Sequence, residues 1–261
     1  MSICVQNFQS LRAFAAAILL ASSAAPVQAI VKGREGAPLA ASSLMVLNSK
    51  GGVCSGLVIA ADIVLTAGHC VAGGLEVRVH FRDSSGQPVL LPPKSVAIHP
   101  EYRANAAANR QRSVDMALVR LPEALGGFSA AALSDALPRA GETVTVAGFG
   151  SSIEADPRST GTLRSASLTV VEPYGPGKIL LWAADSSGRG KSPGSGACQG
   201  DSGGAMINAT GQAVAVTSWS TGQGASRCGL LTQGTLLGAQ RSWIDKTIAQ
   251  WGGNVNWFTT R

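Results

Sequence analysis

Three histidines, His69, His80 and His99, occur in the chain, and each is a candidate base near neutral pH. His69 stands in Leu65-Thr66-Ala67-Gly68-His69-Cys70, where an apolar run ends in a glycine turn. Far downstream lies Gly200-Asp201-Ser202-Gly203-Gly204. A serine between glycines can present its Oγ on a tight turn. Backbone N–H groups beside it can then approach a substrate carbonyl with no Cβ in the way. Between the two motifs lies Asp115, at the mouth of the apolar run Met116-Ala117-Leu118-Val119. A serine hydroxyl is a weak nucleophile until a base takes its proton, and the base needs a third group to hold its tautomer. Ser202, His69 and Asp115 are the residue types for attack on an acyl carbon. His80 and His99 belong to no such set, and His99-Pro100-Glu101-Tyr102 reads as a surface loop.

The run Gly200 to Gly204 also fits G-x-S-x-G, the nucleophile turn of α/β hydrolases. In those enzymes the acid and then the histidine follow the serine. Here no histidine follows Ser202, and no alternation of strands with helices is visible. That fold is therefore rejected. No cysteine pair has zinc-like spacing, and Asp83 with Ser84 and Ser85 is a poor calcium loop. No metal and no cofactor are expected.

The elements that must carry these groups are short. Leu44–Leu47, Leu57–Ile59, Ile63–Leu65, Val77–Phe81, Ala117–Leu121, Thr143–Ala147, Leu168–Val171, Ile179–Trp182 and Ala213–Thr217 are apolar runs rich in Val, Ile and Leu. Gly, Pro, Ser and Asn break them, as in an all-β sandwich or barrel. A helix is expected only over Arg241–Trp251, where Trp243, Ile244, Ile248 and Trp251 share one face. The Ala-, Gly- and Pro-rich stretch Leu121–Pro138 reads as a linker between two halves. With 261 residues, 14% charged and 32 glycines, the chain can bury a large core and is no coiled coil or charged disordered tail. Its net charge of +6 is spread thinly, without a basic and aromatic stripe, which argues against nucleic acid as a partner.

Arg12 precedes the apolar run Ala13–Ala25, and small residues follow up to Ala29. This is the pattern of a secretory signal peptide at residues 1–29, too short to span a bilayer. No stable membrane insertion is expected. A cut after Ala29 takes 29 residues from 261 and leaves 232, starting at Ile30. A cut after Ala25 would leave Pro26–Ala29 as a short propeptide. Of five cysteines, Cys4 leaves with the signal, and Cys54, Cys70, Cys198 and Cys228 remain. In an oxidising compartment these suggest two disulfides, with three pairings possible.

Taken in order, these features resemble the trypsin/chymotrypsin family of serine proteases. The resemblance covers essentially the whole chain after the signal. It rests on Ile30-Val31-Lys32-Gly33, Cys54-Ser55-Gly56-Leu57-Val58-Ile59, the His69, Asp115 and Ser202 motifs, Ser218-Trp219 and Ser242-Trp243-Ile244. It implies two six-stranded antiparallel β-barrels over residues 30–135 and 136–261, with a C-terminal α-helix and the active site between them. It implies Ser202 as nucleophile, His69 as base, Asp115 as its orienter, and the Gly200 and Ser202 N–H groups as oxyanion hole. It pairs Cys54 with Cys70 and Cys198 with Cys228. It also pairs a freed Ile30 amine with Asp201. The signal and the lack of a long propeptide lean toward a secreted, bacterial-type member, periplasmic or extracellular and monomeric, acting on protein or peptide substrates. A catalytically silent binding module on the same scaffold is the other class.

The family's primary pocket has its floor six residues before the nucleophile, here Gly196, followed by Ala197. No acid stands there to select Arg or Lys. Gln199 would belong to the pocket, and Ser218 and Trp219 would line the substrate strand and one pocket wall, with Ser220 narrowing the mouth and Thr232 intruding. A neutral, narrowed pocket implies cleavage after small or medium apolar residues, with an aromatic preference as the alternative. Arg103, Arg110 and Arg112, in the loop before Asp115, read as a solvated loop that could also meet acidic substrate residues or an anionic surface.

Overall fold

The computed structural model describes residues 30–106, 109, 111–172 and 178–259. The expected signal peptide, with Cys4 and Arg12, and the loop residue Arg110 lie outside them. The strands in chain order are β1 (Arg34–Glu35), β2 (Ser43–Asn48), β3 (Val53–Ala60), β4 (Ile63–Thr66), β5 (Val77–Arg82), β6 (Pro88–Leu91), β7 (Ser95–Ile98) and β8 (Ala117–Arg120). They continue with β9 (Leu133–Ser134), β10 (Thr143–Gly148), β11 (Arg164–Glu172), β12 (Leu180–Ala184), β13 (Ala205–Ile207), β14 (Ala213–Thr221), β15 (Leu231–Leu236) and β16 (Trp257–Phe258). Two α-helices join them, α1 (Gly68–Val71) and α2 (Arg241–Gln250). The fold is all-β and chymotrypsin-like.

The first sheet runs β6-β5-β2-β3-β4-β8-β7, with every neighbour antiparallel. Its two ends, β6 and β7, are consecutive in the chain, with only Pro92, Pro93 and Lys94 between them. Proline has no N–H to give a ladder. One bent strand, split by the prolines, thus carries the chain from β5 round to β8. The resemblance implied six strands here, and the prolines turn them into seven segments. The second sheet closes fully: β13-β10-β11-β12-β15-β14, with β13 also pairing β14. This is a six-stranded barrel.

The stretch Leu121–Pro138 is more than a linker. Leu121, Leu125, Ala131 and Leu133 are buried. Within it β9 joins the second sheet by parallel bridges to β14 and β16, and β1 pairs with β11. Two segments that precede residue 136 therefore complete the second sheet. Its core gathers Val144, Val146, Leu168, Val170, Leu181 and Met206, and Ile30 is fully buried among them. Burial of such a side chain stabilises by roughly 1.5–3 kcal/mol.

Helix α2 buries Ile244, Thr247 and Ile248. The two isoleucines join the cluster that fills the first barrel, with Trp243 and Trp251 at its margin. The chain end also packs back: Trp257 Nε1 donates to Asp245 Oδ1 at 2.7 Å, and Arg241 lies over the Trp257 ring. His99 corrects the sequence reading. It is buried, its ring meets Trp243 edge-on with centroids 4.7 Å apart, and its Nδ1 accepts the Glu101 N–H. An aromatic on α2 supplies the cover that a loop histidine would otherwise take from water.

Candidate active site

Asp115 leads into β8, and His69 sits on the single turn of α1 at the end of β4. These strands are neighbours, paired from Ile63–Arg120 to Thr66–Ala117, so the ladder delivers both residues to one end of the first barrel. The Asp115 carboxylate holds His69 twice. The His69 backbone N–H donates to Oδ1 at 2.9 Å, and ring Nδ1 lies 2.7 Å from Oδ2. With Asp115 ionised, Nδ1 carries the proton and Nε2 is left as acceptor. Ser218 Oγ, from the second barrel, donates to the same Oδ2 at 2.6 Å.

Burial pushes the Asp115 carboxyl up, but the hydrogen bonds from His69 and Ser218 and the charge of His69 outweigh it and hold it below its ordinary value. Burial pulls His69 down, and the bond to Asp115 and its charge outweigh that, leaving the imidazole above its ordinary value. The two shifts describe one ion pair, with His69 protonated more readily than a free imidazole.

Ser202 lies on the turn between Cys198 and β13. Gly203 has φ +87°, and a Cβ there would lie 2.1 Å from the Ser55 carbonyl oxygen and 2.2 Å from Thr66 Oγ1. Only glycine fits. The turn is gripped by the first barrel: Ser55 N–H donates to the Ser202 carbonyl at 2.8 Å, and Ser55 Oγ donates to the Gly200 carbonyl at 2.9 Å. Ser55 Oγ also accepts the Phe149 N–H at 2.9 Å.

Asp201 points the other way and is fully buried. Its oxygens accept the Gly150 and Cys198 N–H groups, each at 2.8 Å. Burial raises it to about 7, against those two bonds and the charge of Arg164.

His69, Asp115 and Ser202 line one open cleft of about 650 Å³, together with Gln199, Ser218, Trp219 and Ser220. Gly196 and Ala197 do not line it; both are buried behind it. A Cβ on Gly196 would come within 3.2 Å of Gly229 Cα and Thr232 Oγ1, and Thr232 Oγ1 accepts the Ala197 N–H at 3.0 Å. The space beside Gly196 is therefore tightly filled, and Asp185 Oδ2 accepts the N–H of the preceding residue, Ser195, at 2.8 Å. Several cleft residues were not visible as such in the sequence: Tyr102, Ile179, Leu180, Trp182, Arg227 and Gln233. Trp182 meets Trp219 edge-on at 5.7 Å. Only strand pairing, β12 to β15 to β14, brings those two indoles together.

Cys54 is bonded to Cys70 and Cys198 to Cys228, as the resemblance implied. Cys54, His69 and Cys70 have ligand atoms within 4.8 Å of one another. The two sulfurs are joined in the disulfide, so no thiolate is available there to hold a metal.

A protein-family model described as Trypsin matches residues 30–241. The chain is similar to trypsin alpha of Drosophila erecta, 30% identical over 212 residues, covering 74% of this chain and 77% of that one. It is also similar to trypsin-3 of Salmo salar, 28% identical over 233 residues, covering 84% and 93%. Among solved structures it resembles neuropsin, a serine protease expressed in the limbic system of mouse brain. That match has a TM-score of 0.66 and 25% identity, covering 84% of this chain and 99% of neuropsin. These relatives come from an insect, a fish and a mammal and lend no support to a bacterial-type member.

Proposed function

The chain belongs to the trypsin family of serine endopeptidases, and from that premise we propose that it cuts peptide bonds after small or medium apolar residues through Ser202, His69 and Asp115. The observation that carries this reading is the two-point hold of Asp115 on His69 in the cleft that Ser202 lines. Asp115 fixes the tautomer, so His69 Nε2 is free to take the Ser202 Oγ proton. Oγ attacks the scissile carbonyl, and the oxyanion is received by the N–H groups of Gly200 and Ser202. His69 then gives its proton to the leaving amine, and the C–N bond breaks to leave an acyl-serine. A water, deprotonated by His69, attacks the ester; the acid product leaves and Ser202 regains its proton.

The apolar preference is supported by the lack of an acid at position 196 and by the close approach of Thr232 to Gly196. Elsewhere the reading extends to export by residues 1–29, two catalytic halves at residues 30–135 and 136–261, and an Ile30 amine that pairs with Asp201. A buried carboxylate without a cationic partner is costly, so that pair would set the shape of the oxyanion turn.

The test is cleavage of a peptide library varied at the residue before the scissile bond, using protein that begins at Ile30. Cutting after Ala, Val or Leu that falls roughly a millionfold in Ser202→Ala is the expected result. Cutting mainly after Arg or Lys overturns the pocket reading, and folded protein that cuts nothing overturns the catalytic one.

A further inference from the structure

The charge on the cleft wall is one-sided. Among the described residues, the acids and bases lining it are His69, Tyr102, Arg103, Arg112, Asp115 and Arg227. Asp115 is the one carboxylate, and its oxygens are occupied by His69 and Ser218. Arg112 is paired with Glu101. Two guanidinium groups remain. Arg103 donates from Nη1 to the carbonyls of Pro100 and Tyr102, at 3.1 and 3.0 Å, which are neutral acceptors. Arg227 is fastened by its backbone instead. Its N–H donates to Glu154 Oε1 at 2.6 Å, and its carbonyl accepts Ser220 Oγ at 3.0 Å. Glu154 thus anchors the Arg227 main chain, and its other oxygen accepts Ser226 Oγ.

The two arginines enter the cleft lining from different halves of the chain. Arg227 precedes Cys228, whose disulfide reaches Cys198 in the cleft, and it is bonded to Ser220 at the expected pocket mouth. Arg103 belongs to the first half and follows Tyr102, which lines the same cleft and whose Cδ2 would lie 3.0 Å from a Cβ on Gly68, next to His69. Both side chains are exposed. We infer that Arg227 and Arg103 select acidic peptide segments, by binding Asp or Glu side chains within the three residues that lead up to the scissile bond. The inference rests on the peptidase reading and adds to it the chemistry of the substrate beyond the residue that fills the pocket.

Exposed ion pairs are weak. Each would give roughly a 1.5- to 5-fold preference, and two together about 2- to 25-fold. Screening shortens their reach from about 10 Å at 0.1 M salt to about 3 Å at 1 M.

The experiment uses matched peptides with Ala before the cut and either Glu or Gln at the second and third residues before it. In wild-type protein at low salt, kcat/KM for the Glu peptide should exceed that for the Gln peptide by about 2- to 25-fold. The ratio should fall toward one in 1 M NaCl and in the double variant Arg227→Gln, Arg103→Gln. Arg139→Gln, exposed and outside the cleft, should keep it. The same ratio is read without chemistry from the affinity of both peptides for Ser202→Ala protein. Tighter binding of the Glu peptide without any cleavage by wild type would sink the peptidase reading and keep the arginine assignment. Equal cleavage and equal binding of the two peptides would do the reverse. A ratio that survives in the double variant also overturns the assignment. So does arginine-dependent binding of heparin, a polyanion, with a peptide ratio of one, which would give these side chains to an anionic surface.

Discussion

Freeing the amine of Ile30 should abolish a pH response of stability that Asp201 imposes on the longer chain. Asp201 is fully buried against two backbone N–H groups, and burial raises its carboxyl from 3.8 to about 7. That rise corresponds to about 4 kcal/mol. The sign follows from proton counts. Between about pH 4 and 7 the native state holds a proton that the unfolded chain has released, so stability falls as pH rises through that window. An ammonium group at Ile30, whose side chain is buried in the same barrel, would favour the ionised carboxylate and remove the fall. The assay is urea denaturation of Ser202→Ala protein, to prevent self-cleavage, in two forms: one starting at Ile30 and one carrying Pro26–Ala29 ahead of it. Other titrating groups are common to both and cancel in the difference. At pH 7 the Ile30 form should be more stable by about 2–4 kcal/mol, and at pH 4 the gap should close. Asp201→Asn should erase the difference at every pH. Superimposable curves from the two forms would refute the pairing.

Because the Asp115 bond and charge hold His69 above its ordinary value, kcat/KM should be lost as pH falls through a midpoint above about 6.5, read from a pH–rate profile. Asp115→Asn, which inverts the tautomer, should lower kcat by about 10⁴, the size typical of Ser-His-Asp triads generally. Ser55→Ala strips partners from the Gly200 carbonyl and the Phe149 N–H, so denaturation should show a loss of roughly 2–4 kcal/mol, with kcat falling more than KM rises. Gly203→Ala drives a Cβ into the Ser55 carbonyl and Thr66 Oγ1 at positive φ, and it should lower stability by more than about 3 kcal/mol in the same assay.

Much of this was legible because strands of Val, Ile and Leu bury both faces and leave unbroken apolar runs. Ile63–Thr66 and Ala117–Arg120 are of that kind, and they carry His69 and Asp115. Strands that bury little were not legible. Pro88–Leu91 and Ser95–Ile98 alternate exposed and half-exposed residues, and two prolines part them. Leu231–Leu236 reads LTQGTL, and its glycine is there to admit Met206, whose sulfur would lie 2.4 Å from a Cβ. Arg227 and Trp182 escaped notice for another reason. Each is ordinary in its own segment, and only the closure of the second barrel puts it in the cleft.

The placement of the proposed reacting groups depends on contacts that cross between the halves. His69 and Asp115 hang from the first barrel, and Ser202 hangs from the second. Hydrogen bonds cross the seam beside them, among them Ser218 Oγ to Asp115, Ser55 N–H to the Ser202 carbonyl, and Ser55 Oγ to the Gly200 carbonyl. The last fixes the peptide unit that follows the Gly200 N–H, one of the two proposed oxyanion donors. Ser55 is almost fully buried, so water cannot stand in for it. Displacement of a reacting group by about 1 Å can cost about 10²-fold in rate. A rigid barrel cannot correct an error in its neighbour's position, because each is close-packed within itself. The correction must come from short, directional bonds at the seam. That is why a buried serine on β3, with no part in the proposed chemistry, sits between the proposed oxyanion turn and the strand that leads to Cys54 and its bridge to Cys70, next to His69.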